Sequence, residues 1–439
     1  MIEIEKIPPY VAKHIIGTLS GGIPPQYAVS LYSIGLDSIL DAIKKDQLAT
    51  LKHCGIGFDK IIVATYGNGK THFLRTFRDL AMSEDPPLAS SIITLDHDNL
   101  NFKELDLIFF AIMDNIEFPK NDVEISKCIV TPSYIGEKKG FTNALEYWLD
   151  ERKNEIISQG SSDDKFSDFI NNLQHKINKA RTLNPVFRYA VHILMDGIAK
   201  DNPMKIDDMR LFFSGKLDNR KIKEYGLTRL SKENAQSFIK SLATFLKVLD
   251  FGGLVISFDE GEYQNFAKSD RSREQVLTKF RTIRDAIVTG ELPYIVMLYT
   301  VPNINQITGL YEAISGRIKG KFDMKTPYSE VIDLDEILTQ SNNDMWKTNL
   351  REIAFKVSRI YEASIDYKFD DKILTHSIRN LADEALKLKD GGITKRNFIK
   401  SLILCLGNLK DEPLKVITND EAMKFLKFSD KSSDEQNNR

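Results

Sequence analysis

The sequence predicts an α/β fold, a parallel sheet core with a large helical insertion and a helical C-terminal lid domain. Three observations predict it. A short β-branched run, 60–64, enters a glycine turn and leaves it as an amphipathic helix. A second apolar run, 254–258, ends in the paired carboxylates Asp259 and Glu260. Between the two runs lies a long charged stretch with helical periodicity, and another helical stretch follows the last strand signal.

The elements follow in chain order. Residues 11–20 are compact and apolar, Gly21-Gly22-Ile23-Pro24-Pro25 breaks them, and 38–43 resumes a helical pattern. The strand 60–64 is bounded by Gly57 and Gly67, and the helix after it, 71–80, carries Phe73, Leu74, Phe77 and Leu80 on one face. A strand at 91–95 and a helix at 102–115 come next. Helices at 141–158 and 166–181 are separated by a polar gap, 159–164. Strand character returns at 254–258 and 294–300, the pattern beyond Pro327 is helical to Leu409, and 429–439 has the composition of a disordered end. The expected organisation is therefore a first core part (1–132), a mostly helical insertion (133–250), a second core part (251–326), a helical lid (327–410) and a tail (411–439).

Sixty basic residues face sixty-two acidic ones, a formal charge of −2, so bulk charge gives no hold on nucleic acid. Cys54, Cys128 and Cys405 are too scattered for a metal site or a disulfide framework. The start, MIEIEKIPPY, is not a signal peptide, and no apolar run reaches the ~18 residues of a spanning helix. The expectation is a soluble cytoplasmic protein with no membrane partner.

Ala64-Thr65-Tyr66-Gly67-Asn68-Gly69-Lys70-Thr71 fits the phosphate-loop pattern G-x-x-x-x-G-K-[ST], with Ala64 in place of the first Gly. Gly67 and Gly69 let the backbone turn its N–H groups, including those of Tyr66 and Asn68, toward phosphate oxygens. The following helix adds its positive end. Lys70 would reach the β- and γ-phosphates and the Thr71 hydroxyl would ligate Mg²⁺. His72 follows directly, and by itself it packs or caps. The strand before and the helix after are the context this pattern requires, and a plain helix-capping turn would not explain Lys70-Thr71.

In P-loop ATPases a strand beside the loop ends in the metal partner. Asp259 would hold Mg²⁺ and Glu260 would orient and deprotonate the attacking water; Glu262 adds a third carboxylate nearby. Thr300, with Asn303 second, stands where AAA+-type ATPases place a γ-phosphate sensor. Arg317 is the candidate arginine finger for a neighbouring subunit, and Arg396, opening a C-terminal helix, the candidate lid arginine. His97, between Asp96 and Asp98, has no second ligand cluster to make it a metal site. Arg271, Arg273, Lys279, Arg281 and Arg284 could form a basic helix face for DNA, although a solvated face explains them equally well.

Three stretches, IIGTLSGGIPPQYAVSLYSIG (15–35), YGNGKTHFL (66–74) and the segment 213–262 ending in GLVISFDEGE, together resemble the BREX-system ATP-binding proteins, the BrxD-like P-loop proteins of bacterial phage-defence loci. The resemblance runs from about residue 10 to 400. It implies an AAA+-like ATPase of a defence operon, with ATP and Mg²⁺ as cofactors and other defence proteins as partners. A homo-oligomer and DNA are further partner expectations. It also implies that the segment before the phosphate loop wraps the adenine, making Ile23, Tyr32, Ser33 and Ile34 candidate base contacts. An ATP-hydrolysing switch or motor is the leading expectation. A nucleotide-dependent scaffold with little turnover is the alternative, and Glu260 argues against it. Asn178-Lys179-Ala180-Arg181 ends in the wrong residue for a guanine reader.

Overall fold

The computed structural model describes residues 7–95, 100, 102–120, 138–158, 163–260, 270–305, 327–339, 343–388 and 393–437. Its centre is a six-stranded sheet: β1 (Phe58–Val63), β2 (Leu88–Thr94), β3 (Ile116–Glu117), β4 (Gly253–Asp259), β5 (Ile295–Val301) and β6 (Val331–Asp333). The spatial order is β3-β2-β4-β5-β1-β6. All neighbours run parallel except β2 and β3.

Alternation along each strand feeds two different cores, as the period of two requires. On β1, Ile61 and Val63 join one cluster while Ile62 joins the other. On β5, Ile295, Met297 and Tyr299 face the first, and Val296 and Leu298 face the second. The first cluster includes the helices of the stretch between β3 and β4, notably Phe141–Ser158, Pro185–Ala199 and Ala235–Val248. The second holds the helix Lys70–Met82 through Phe73, Leu74 and Phe77, together with the helices 37–54. Burying a phenylalanine fully is worth about 1.5–3 kcal/mol, so these three fix that helix on the sheet.

A third cluster lies apart from the sheet. It joins the N-terminal helix Pro9–Ser20 and Tyr27–Tyr32 to the helices Asn343–Ile365, Asp371–Lys387 and Lys395–Asp411. The amphipathic pattern of Val11, Ile15, Ile16 and Leu19 predicts a buried face, and that face meets the far end of the chain.

β5, the strand that contains Thr300, lies beside the acidic strand β4, as the sequence reading has it, and separates β4 from β1. Asp259 reaches the loop because the helix Lys70–Met82 packs across β4 and β5 through Val255, Val296 and Leu298. Three differences from the sequence reading stand out. The stretch beyond Pro327 contains β6, three residues without turn punctuation that pair with Ile61–Val63. The helix at 38–43 continues through a π-turn, Lys44–Leu48, to Cys54. The last helix, Asn419–Asn437, runs through the polar end, anchored by the buried Ala422 and Leu426.

Candidate functional site

The loop 64–69 leaves the end of β1 and closes at Gly69, with Gly67 at φ 78° and Gly69 at φ 103°. These positive angles suit glycine, and at Gly67 space forbids a side chain as well. A Cβ there would lie 2.8 Å from Thr394 Oγ1. The helix begins at Lys70, whose ammonium donates to the loop's own Ala64 carbonyl at 2.9 Å and lies 4.6 Å from the centre of the Tyr66 ring.

Thr71 Oγ1 donates to Asp259 Oδ2 at 2.6 Å, so a hydroxyl from the loop helix and a carboxylate from β4 meet over the sheet edge. The other carboxylate oxygen, Oδ1, accepts from Thr300 Oγ1 at 3.0 Å and from the Glu260 N–H at 3.1 Å. Thr300 Oγ1 in turn accepts from that same N–H at 3.0 Å. Thr300 is fully buried behind Asp259 and braces its carboxylate and the Glu260 N–H; it is not among the walls of the cleft. Asn303 is exposed, its Oδ1 accepting from the Asn305 N–H. Glu260 sits at φ 57°, a left-handed conformation costing a non-glycine residue about 1–2 kcal/mol, and the bonds from its N–H hold it there.

A cleft of about 140 Å³ opens above the loop. It brings together Tyr66, Gly67, Asn68, Gly69, Lys70, Thr71, His72, Asp259, Glu260, Ile34 and Arg396 from the sequence reading, and also Ile23 and Tyr32. Leu19, Ile34, Ile353 and Ile399 give it apolar wall, and the loop gives it backbone N–H groups. Arg317, Glu262 and His97 lie outside the described residues. His72 lines the cleft with its Nε2 2.6 Å from Ser33 Oγ and its ring 5.0 Å from Tyr32. Desolvation first, then the charges of Lys395 and Arg75, lower its pKa to about 3, so the imidazole is neutral.

Three participants escaped the sequence reading. Asp335, two residues past β6, accepts from the Thr65 N–H and from Asn68 Nδ2, both at 2.7 Å, and pins the outer limb of the loop. Asn349 and Lys395 line the cleft from the helical cluster. The first turn of the helix Lys395–Asp411 docks on the loop: the Arg396 N–H donates to the Gly67 carbonyl at 3.1 Å and the Lys395 N–H to Asn68 Oδ1 at 3.3 Å. The Gly-Lys-Thr spelling of the motif gave no sign of these partners, which come from residues far along the chain.

The basic face read on 271–284 loses a member. Arg284 is buried, its Nε 2.5 Å from Asp59 Oδ2 on β1, because the apolar stripe of Val276, Phe280, Ile283 and Ile287 turns it inward. Among the described residues no group of three or more His, Cys, Asp or Glu side chains could hold a metal by itself, and no helix is long and apolar enough to cross a membrane.

A mostly parallel sheet, a glycine turn entering a helix and a carboxylate strand end meeting that helix define a mixed α/β protein with a P-loop-like core. A family model described as "BREX system ATP-binding protein BrxC/D" matches residues 7–420, and the chain belongs to that family. No curated protein and no solved structure matches it significantly.

Proposed function

We propose that this chain is an AAA+-like, Mg²⁺-dependent ATPase whose turnover drives a switch in a BREX phage-defence assembly. The observation that carries this reading is the 2.6 Å contact between Thr71 and Asp259. Two hard oxygen donors placed together beside a glycine loop suit Mg²⁺, which takes few protein ligands and completes its shell with phosphates and water. When bound, the ion would neutralise charge on the β- and γ-phosphates. Lys70 supplies the loop's cation and the turned backbone supplies N–H donors. Ile34 and Tyr32 stand on the wall suited to a base.

Glu260, lining the cleft beside Asp259, accepts a proton from the attacking water as water oxygen bonds the terminal phosphorus and the bond to ADP breaks. Thr300 holds the Asp259 carboxylate and the Glu260 backbone N–H from behind. The helices Asn343–Ile365 and Lys395–Asp411 act as the lid, and the family membership points to other proteins of the defence system as partners.

Steady-state ATP hydrolysis with and without double-stranded DNA tests this. Lys70→Ala should lose nucleotide binding, whereas Glu260→Gln should keep ATP bound and lose at least ~100-fold in turnover. Wild-type turnover in the Glu260 variant would remove that residue from its role. Binding without turnover in the wild type, even with DNA, would favour a nucleotide-dependent scaffold.

A further inference from the structure

The lid offers two cations at consecutive positions, and the structure separates their surroundings. Arg396 is exposed, and its stem lies against the turn after the N-terminal helix: a Cβ on Gly22 would be 3.1 Å from its Cγ and from its Cδ. Lys395 is half-buried in the cleft. Its charge acts on His72, the residue after Thr71, and it feels the carboxylate of Asp335, which pins the loop from the other side. Its backbone N–H is tied to Asn68 in the loop. Among the described residues no carboxylate forms an ion pair with its ammonium.

A cation held out of water without an anionic partner is unfavourable unless a ligand supplies the anion. Desolvation lowers the Lys395 pKa to about 8, with Asp335 opposing it, so the ammonium is still the main form at neutral pH. Burial and position thus favour an anion arriving from the cleft.

We propose that Lys395, rather than Arg396, is the lid's phosphate-contacting residue. It meets the nucleotide's phosphates opposite Lys70, while Arg396 covers the turn at Gly22. This rests on the reading of the cleft as an ATP site. One bond from a lysine ammonium to a phosphate is a charge-assisted hydrogen bond, worth tenfold or more in affinity.

Titration of the full chain with a fluorescent ATP analogue in Mg²⁺ tests it, using Lys395→Met, Lys395→Arg and Arg396→Ala beside the wild type. Lys395→Met should weaken binding by about tenfold or more. Lys395→Arg should stay within about threefold of wild type, and Arg396→Ala should lose less affinity than Lys395→Met. The Arg rescue separates charge from packing, and matching thermal melting of the Met variant checks that it is folded. Unchanged affinity in Lys395→Met, or a larger loss in Arg396→Ala, overturns the assignment while leaving the ATP site standing. No binding by the wild type overturns the ATP reading and this inference with it.

Discussion

The two walls of the cleft are built differently. On the sheet side, Thr71, Asp259 and the Glu260 N–H, with the buried Thr300 behind them, form one set of hydrogen bonds across the loop helix, β4 and β5. On the helical wall, Lys395 and Arg396 reach the loop only through backbone N–H groups, at 3.3 and 3.1 Å. The first wall has its geometry fixed before a ligand arrives, which is what charge stabilisation in a transition state requires. The docking of the helix Lys395–Asp411 on the loop rests on these two neutral bonds, worth about 0.5–1.5 kcal/mol each, weak enough for ligand binding to shift locally. On the proposed reading, chemistry belongs to the rigid wall and switching to the docked one.

Between them runs a seam that resists separation. Tyr27, a member of the helical cluster, donates from its hydroxyl to Glu117 Oε2 on β3 at 2.5 Å. Arg78, on the loop helix, donates to the Gln26 carbonyl at 2.7 Å, and Arg75 donates to the Pro24 carbonyl. Lys120 also pairs with Glu117. Burial alone would raise the Glu117 pKa, but Arg78 and then Lys120 outweigh it and hold the carboxyl down at about 2. A carboxyl lowered on folding stabilises above its unfolded pKa and loses that contribution as pH falls through the folded one. The largest effect is therefore expected from Glu117→Gln, which should cost about 3 kcal/mol near neutral pH. Denaturant unfolding of both proteins should show the gap flat above about pH 5 and closing as pH falls from about 4.5 toward 2. A gap independent of pH would mean the seam is held by packing.

The next effect falls on the docking point. Gly67→Ala must adopt φ 78° and face Thr394 Oγ1, at a cost of about 2 kcal/mol in stability or a displaced helix Lys395–Asp411. Thermal melting with and without ATP should show a lowered midpoint and a smaller ATP-induced rise. An ordinary rise would mean the helix Lys395–Asp411 does not need its contact at Gly67.

The smallest is Thr300→Val, behind the sheet wall. Removing its hydroxyl costs Asp259 Oδ1 one of its donors, worth about 1–2 kcal/mol. Because Thr300 supports the Asp259 carboxylate and the Glu260 backbone from outside the cleft, turnover should fall while ATP affinity stays within about threefold. A selective loss of ATP over ADP affinity would instead make it the phosphate sensor that its position at the end of a strand suggests.

The sequence legibility of these parts follows their chemistry. Lys70, Thr71, Asp259 and Glu260 were readable because each motif packs its chemistry into adjacent residues, with strand and helix signals on either side. Arg396 reads as a candidate lid cation because it opens a C-terminal helix with Phe398, Ile399 and Leu402 on its apolar face. The half-burial of Lys395 depends on how helices from both ends of the chain pack, and periodicity does not report that. Asp335 was hidden for a similar reason: β6 is three residues long, and the acidic residue after it reads as an ordinary helix start. Thr300 was legible as a polar strand end but not in its direction, since the insertion of β5 between β4 and β1 turns it toward Asp259. The family resemblance read from 15–35, 66–74 and 213–262 is borne out by the match over 7–420.

The most direct test of the central claim compares ATP binding in Mg²⁺ with binding in a chelator, by calorimetry, for the wild type and Asp259→Asn. The account predicts that Mg²⁺ strengthens ATP binding by about tenfold or more in the wild type, and that most of this gain disappears in the variant. Equal affinity with and without Mg²⁺, or a gain that Asp259→Asn leaves intact, would contradict a divalent site at Thr71 and Asp259.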